Sequence, residues 1–307
     1  MLYFAVPELP TEHSIEYIYN SIRNFISDQF TIREIIIPED KNYNDAIKLY
    51  ELTHHNTSFI LKITNKDSGN IFKVAQLIEQ NFAELKNFLI IPIVIATYNN
   101  SGNVISYQLM YKAPGQSVAE LFDQYLTNQL DVSYLNNCYF KLGETVAYMH
   151  KKGNIDLSTN DLKLLKTQLL HNDLHDDNIL YDGKSIYLID NEGINVSINN
   201  PSSVDSDLST ILFQTTHLPL VFINNSLVTT KQSEEIIGFT KYFLKGYISQ
   251  LGGIEYTEYL LSVLEHTMNT IYQSLEENQQ ELLSLCDKDT KDTIYDIIVE
   301  PILLGEQ

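Results

Sequence analysis

Residues 171–180 read His-Asn-Asp-Leu-His-Asp-Asp-Asn-Ile-Leu, and this run constrains the fold more than any other part of the chain. Asp173 stands five residues before Asn178, and an apolar segment follows both. Tyr187-Leu188-Ile189 then delivers a second aspartate, Asp190. Strands over Ile179–Tyr181 and Ser185–Ile189 are expected to flank Asp182-Gly183, a two-residue hairpin signal. Such a hairpin brings Asn178 and Asp190 to one edge of a cleft. Phosphoryl transfer suits this set, because it asks a protein for positioning and charge neutralisation more than for covalent chemistry. Asp173 can orient a hydroxyl and accept its proton. Asn178 and Asp190 can hold Mg2+, which keeps several waters and takes few protein oxygens. A polar loop with a turn is the competing reading, since Asp and Asn favour turns for local reasons. The accompanying His171, strand, Asp-Gly turn and strand-ending Asp190 weigh against it. His171 either holds the loop by hydrogen bonds or joins the chemistry. His175, Asp176 and Asp177 face substrate or solvent, and Asp177 is also placed to cap the loop.

The segments around this run set the organisation. Ile15, Ile18, Tyr19, Ile22, Phe25 and Ile26 form one stripe of a helix over 12–29. Strands are expected at Thr31–Ile37, Ala46–Leu52 and Ser58–Thr64, with 38–44 as a hairpin loop. A helix follows from Ile71 to Asn87, its inner face carrying Val74, Leu77, Ile78, Phe82 and Leu85. Strands then run over Ile91–Tyr98 and Val104–Tyr111. The texture changes after Tyr111. Ser117 and Glu120 have capping-box spacing, so a helix starts there. A second helix spans Val132 to Lys151. Beyond Ser206, helices are expected at 206–215, 233–250, 255–277 and 289–300. The reading is an α+β chain of two lobes. A sheet-rich N-terminal lobe spans 1–111 and a mostly helical C-terminal lobe spans 112–307, with a nucleotide expected at their junction. Ligand clefts favour such junctions.

Composition narrows the partners. Forty acidic against twenty basic residues give a net charge of -20, which disfavours nucleic acid and anionic membranes and favours a cationic acceptor. No apolar run reaches spanning length, and the first residues lack the basic start of a secretory signal. Two cysteines form no disulfide framework, so a reducing, cytoplasmic location is expected. Adjacent histidines, His54 and His55, face opposite ways on a strand and make no ready chelate.

The run 171–180, followed by Leu188-Ile189-Asp190-Asn191-Glu192, resembles the aminoglycoside phosphotransferase and choline kinase family. The resemblance covers roughly residues 30–220. It implies a protein-kinase-like fold, Asp173 as catalytic base, Asn178 and Asp190 as Mg2+ ligands, and ATP or GTP as phosphate donor. Phe59-Ile60-Leu61-Lys62-Ile63 resembles the strand whose lysine contacts the α and β phosphates. The partner of Lys62 would be a glutamate of the next helix, Glu79 by spacing, with Glu84 second. Gln108-Leu109-Met110-Tyr111 followed by Pro114-Gly115 resembles the hinge whose backbone binds adenine, which implicates Met110 and Tyr111. Val146–His150 resembles the helix before the catalytic loop, and Asp207-Leu208 the pair that braces it. One departure is plain. No glycine precedes Gly69, so the loop 38–44 is not a glycine-rich phosphate cover.

The leading expectation is a small-molecule kinase acting on a hydroxyl of an amino sugar, amino alcohol or related metabolite. A protein kinase and a non-catalytic nucleotide-binding protein are the alternatives. Asn172 stands where protein kinases use arginine, and only residues 191–206 separate Asp190 from Asp207, which leaves little room for an activation loop.

Overall fold

A computed structural model describes residues 2–6, 31–36, 46–65, 69–100, 103–153, 166–196, 202–224, 230–251 and 263. The chain divides into two compact units, Met1–Ala113 and Pro114–Gln307. The helix expected over 12–29, the loop 38–44 and the helices expected over 255–277 and 289–300 lie outside the described residues.

Six described strands form one sheet in the first unit. They are β1 (Leu2–Val6), β2 (Thr31–Ile35), β3 (Ala46–His54), β4 (Thr57–Thr64), β5 (Val94–Asn100) and β6 (Asn103–Tyr111). Their order is β1-β5-β6-β4-β3-β2, antiparallel except for the parallel pair β1/β5. The sequence reading holds no strand at β1. Its five apolar residues are a continuous run, and such a run carries no period to read. Strand β5 begins at Val94 rather than at Ile91. Pro92 has no N–H to give to a ladder, which explains the late start.

Two-residue alternation decides what each strand buries. On β4, Phe59, Leu61 and Ile63 point into a core with Tyr50, Leu52 and Leu109. Lys62 therefore belongs to the other face. Helix α1 (Gly69–Asn81) buries Ile71, Val74, Ala75 and Ile78. It stops earlier than expected. Phe82 leaves helical geometry at φ -140°, and a short 3-10 turn carries the chain from Ala83 to Asn87. Leu85 is buried across the break, so the apolar period runs on and hides it.

The second unit starts with β7 (Gln116–Ser117) and α2 (Val118–Leu126). The capping box forms as expected: the Ser117 N–H donates to Glu120 Oε2 and the Glu120 N–H to Ser117 Oγ, both at 3.1 Å. Helix α3 (Val132–Lys152) is capped by Asp131, whose Oδ1 accepts from the Ser133 N–H at 2.8 Å. Short pairs follow: β8 (Lys166–Thr167), β9 (Leu169–Leu170), β10 (Ile179–Tyr181), β11 (Ile186–Leu188), β12 (Asn195–Val196) and β13 (Ser202–Ser203). Strand β10 lies between β7 and β11. Gly115 permits the first of those pairings. It has φ +94°, and a Cβ there would sit 2.3 Å from the Tyr181 carbonyl oxygen. Helices α4 (Asp205–Asn224) and α5 (Thr230–Leu251) complete the described part.

Helices α3 and α5 approach backbone to backbone. A Cβ on Gly143 would lie 2.0 Å from the Phe243 carbonyl oxygen, and one on Gly246 equally close to that of Phe140. Leu142, Val146, Phe239 and Phe243 are fully buried around these glycines. No helix among the described residues is long and apolar enough to cross a membrane.

Candidate active site

The β10/β11 hairpin places the polar ends of the motif. Ile179 pairs with Leu188, and the Ile189 N–H donates to the Asn178 carbonyl at 2.9 Å. Asn178 and the residue before Asp190 are thus backbone neighbours. The turn falls one residue later than expected. Gly183 and Lys184 occupy its centre, closed by the Asp182 N–H to the Ser185 carbonyl at 3.3 Å, and Gly183 takes φ +91°. Asp182 does not sit at the tip. Its Oδ1 accepts from the Lys184 and Ser185 N–H groups at 2.9 and 2.7 Å, an Asx-type turn.

The Asn178 side chain grips the loop from within. Its Nδ2 donates to the Asp173 carbonyl and to Asp173 Oδ2, each at 3.0 Å, and lies 2.9 Å from His175 Nε2. The Asp173 carboxylate is thereby aimed while remaining partly exposed. His175 Nε2 stands 3.7 Å from Asp173 Oδ2. With the amide nitrogen so engaged, the Asn178 side-chain oxygen Oδ1 takes no hydrogen bond from the described residues. That oxygen is the atom a hard cation would use.

Behind the loop, Asp207 fixes its backbone. Oδ2 accepts from the His171 N–H at 2.9 Å, and Oδ1 from the Asn172 N–H at 2.7 Å. His150 Nε2 lies 2.9 Å from Oδ2. Burial alone would push the Asp207 carboxyl up. The hydrogen bonds from His150 and from the two loop N–H groups outweigh it, and the carboxyl lies below its ordinary range. His150 had a place only as part of the preceding helix. It continues the Leu142, Val146, Met149 stripe of α3, so a buried polar role was visible in the spacing though its partner was not.

Two non-glycine residues hold left-handed backbone at the site, Asn172 at φ 63° and Asp190 at φ 56°. Such conformations cost energy and persist where surrounding structure enforces them. For Asn172 the enforcement is explicit. Its Nδ2 donates to the Gly193 carbonyl at 3.0 Å, and its Oδ1 accepts from Ser206 Oγ at 3.1 Å. Gly193 packs tightly on the loop; a Cβ there would lie 3.0 Å from the His171 carbonyl oxygen. Asn172 therefore ties the loop to the segment after Asp190, a role the sequence reading did not assign.

His171 is fully buried. Its Nε2 donates to the Ile189 carbonyl at 3.1 Å, while Nδ1 meets no polar partner among the described residues. Burial holds the ring below its ordinary pKa, hence neutral. Of the two roles considered for His171, this geometry is that of a loop holder. Asp176 is half-buried, neither facing a substrate nor fully solvated as the two expectations had it. It turns inward toward α4, where the Gln214 amide, oriented to satisfy both partners, donates to its Oδ1 at 2.9 Å and accepts from its N–H at 3.3 Å. Burial, then the neighbouring Asp177 charge, pushes the Asp176 carboxyl up to about 7.

The remaining candidates lie in the first unit. Lys62 is half-buried on β4, directly across from Gln108, which is buried. Met110 and Tyr111 end β6 opposite Ile60 and Phe59, and Tyr111 is 53% exposed. Glu79 is exposed on α1 and pairs with Lys86 at 3.1 Å, which lowers its pKa. Glu84, the second choice, is exposed in the 3-10 turn. His54 and His55 meet edge to face at the β3/β4 turn, with centroids 4.3 Å apart. Among the described residues, no group of three or more His, Cys, Asp or Glu side chains is arranged to hold a metal ion.

No family model and no curated protein sequence matches this chain. Solved structures do. The BubR1 kinase domain superposes with a TM-score of 0.50 at 12% identity, covering 86% of this chain and 90% of its own. A spectinomycin phosphotransferase, APH(9)-Ia, solved with ADP and spectinomycin, gives 0.44 at 14% identity over 93% of both chains. WaaP in complex with acyl carrier protein gives 0.45 at 12% identity, over 85% of this chain and 98% of its own. The chain has the protein-kinase-like α+β fold.

Proposed function

We propose that this chain is a phosphotransferase of the aminoglycoside phosphotransferase and choline kinase type. It moves the γ-phosphoryl group of ATP or GTP to a hydroxyl of an amino sugar, amino alcohol or related small molecule. One observation carries the reading: the Asn178 amide clasps Asp173 while Asp207 pins the two peptide groups in front of it. A turn made only for local reasons needs neither a buried carboxylate behind it nor left-handed backbone at Asn172.

In this reading the Asp173 carboxylate accepts a hydrogen bond from the acceptor hydroxyl, orients the oxygen, and takes its proton as the phosphoryl group arrives. The Asn178 side-chain oxygen Oδ1 and the Asp190 carboxylate would hold Mg2+. Two protein ligands are enough, because this ion retains waters and binds phosphate oxygens directly. When bound, it neutralises charge on the phosphates. Lys62 contacts the α and β phosphates, and backbone groups of Met110 and Tyr111 bind the base. His171 and Asn172 keep the loop in shape. The strongly acidic chain favours a cationic acceptor. A cytoplasmic setting fits the low cysteine content.

The test is nucleotide turnover with Mg2+ across amino sugars, choline-like alcohols and generic protein substrates. Turnover on a small hydroxyl acceptor is expected. Turnover on protein alone would replace this reading by a protein kinase, and nucleotide binding without turnover on any acceptor would make the chain a binding protein.

A further inference from the structure

Helix α5 sends a phenol into the buried network behind the loop. Tyr247 Oη lies 2.7 Å from His150 Nδ1, and His150 Nε2 lies 2.9 Å from Asp207 Oδ2. All three side chains are 0% exposed, so solvent reaches none of them. The donor directions follow from chemistry. A carboxylate only accepts, and a neutral imidazole has one N–H and one bare nitrogen. With His150 in its neutral form, Nε2 carries the proton toward Asp207, Nδ1 is the acceptor, and the Tyr247 O–H donates. The chain runs from Tyr247 through His150 to Asp207, and from there to the N–H groups of His171 and Asn172.

The fold places this hydroxyl with care. Gly246 and Gly143 remove the side chains that would hold α5 away from α3, and a Cβ on Gly143 would lie 2.7 Å from the Tyr247 nitrogen. The Tyr247 ring meets the His150 ring edge to face at 5.8 Å. Phe243, one turn earlier, is also fully buried and fills its space with no polar atom. Packing alone does not ask for an oxygen at 247.

We propose that Tyr247 is a positioning residue for Asp173: its hydroxyl fixes the tautomer of His150, His150 orients the Asp207 carboxylate, and that carboxylate sets the two peptide groups that aim the base. The proposal rests on the phosphotransferase reading for its catalytic part only. The hydrogen-bond chain stands apart from it.

Tyr247→Phe keeps the ring and deletes the hydroxyl. The expected result is a fall in kcat of about tenfold, the scale of one lost buried hydrogen bond, with nucleotide and acceptor KM within about twofold. Two further readouts follow the chain itself. Ring 15N signals of wild-type His150 should show protonated Nε2 and bare Nδ1, and the variant should show a mixture. Amide exchange at His171 and Asn172 should quicken in the variant by about tenfold. Phe243→Leu serves as a packing control, expected to lower Tm yet leave kcat and the His150 signals as in wild type. A wild-type His150 protonated on Nδ1 overturns the proposal. So does a Tyr247→Phe protein with unchanged kcat and exchange, or a Phe243→Leu protein that reproduces the loss. If wild-type protein turns over no acceptor, the phosphotransferase reading fails. The ring signals and the exchange rates then still decide whether Tyr247 sets the loop.

Discussion

Strand β4 and the loop 171–178 both present polar groups from an apolar setting, and they do so by opposite means. On β4 the alternation of the pleat suffices. Phe59, Leu61 and Ile63 enter the core, and Lys62 must take the other face. The loop has no such period. Its geometry comes from residues distant in sequence: Asp207 holds two of its N–H groups, His150 holds Asp207, and Gly193 and Ser206 hold Asn172. Polar placement on a strand is local and tolerant, whereas polar placement on a loop is non-local and brittle.

The largest expected effect is at the tip of the brittle region. Asp173→Ala should lower turnover by about 10²- to 10⁴-fold, the range for loss of a general base, with nucleotide affinity kept in a fluorescence titration. Unchanged turnover would mean that another group takes the proton. Asp207→Asn removes the charge that both loop N–H groups and His150 share. Leaving a buried N–H donor without its acceptor costs about 1–3 kcal/mol, so calorimetry should show Tm lower by about 2–12 °C. A drop below about 2 °C would show that the loop does not depend on this carboxylate. The pH dependence has a definite sign. The folded pKa of Asp207 lies below its ordinary 3.8, so its contribution is present above that value and is lost as pH falls below it. The stability gap between wild type and Asp207→Asn should narrow below pH 4 and stay level from there to neutrality.

The tolerant region should respond differently. Lys62→Met should raise the nucleotide KM by about 10- to 100-fold through loss of a charge-assisted contact, while Tm stays put. A large fall in Tm would show that Lys62 is structural and would erase the contrast. Gly143→Ala tests the helix contact beneath the loop. A Cβ 2.0 Å from a backbone oxygen forces α3 and α5 apart, at about 1–3 kcal/mol. Chemical denaturation would read it, and a neutral result would mean the helices slide freely. The smallest effect is at the surface. Glu79→Gln removes the Lys86 ion pair and should cost less than about 1 kcal/mol, as exposed pairs do. A larger loss, or a nucleotide KM that rises with it, would give Glu79 work beyond that pair.

Much of the fold was legible because it is local. The strands β2 to β6, the Ser117–Glu120 cap and the helices α3 and α5 follow period and capping rules that need only near neighbours, whereas α4 runs on to Asn224, well past the end expected at 215. The motif residues were legible for the same reason, since Asp173, Asn178 and Asp190 lie on one hairpin and its loop. The misses have physical causes. β1 is a uniform apolar run without period, Pro92 delays β5, and the break at Phe82 leaves Leu85 on the buried face. Nothing near Asp176 in sequence announces Gln214, so its inward turn toward α4 carries no local signal.

The sequence by itself determined which chemistry is present: a carboxylate, an amide and a second carboxylate at hairpin spacing, and a lysine inside an apolar strand. Those choices follow from side-chain period and turn propensity, which act over a few residues. Only the tertiary structure decided how the loop is held. The ties between Asp207, His150 and Tyr247 span 57 and 97 residues of separation. Their strength comes from burial, where a hydrogen bond has no water to replace it and a misplaced partner is costly. No local pattern encodes that, because it exists only once α3 and α5 have met at their glycines.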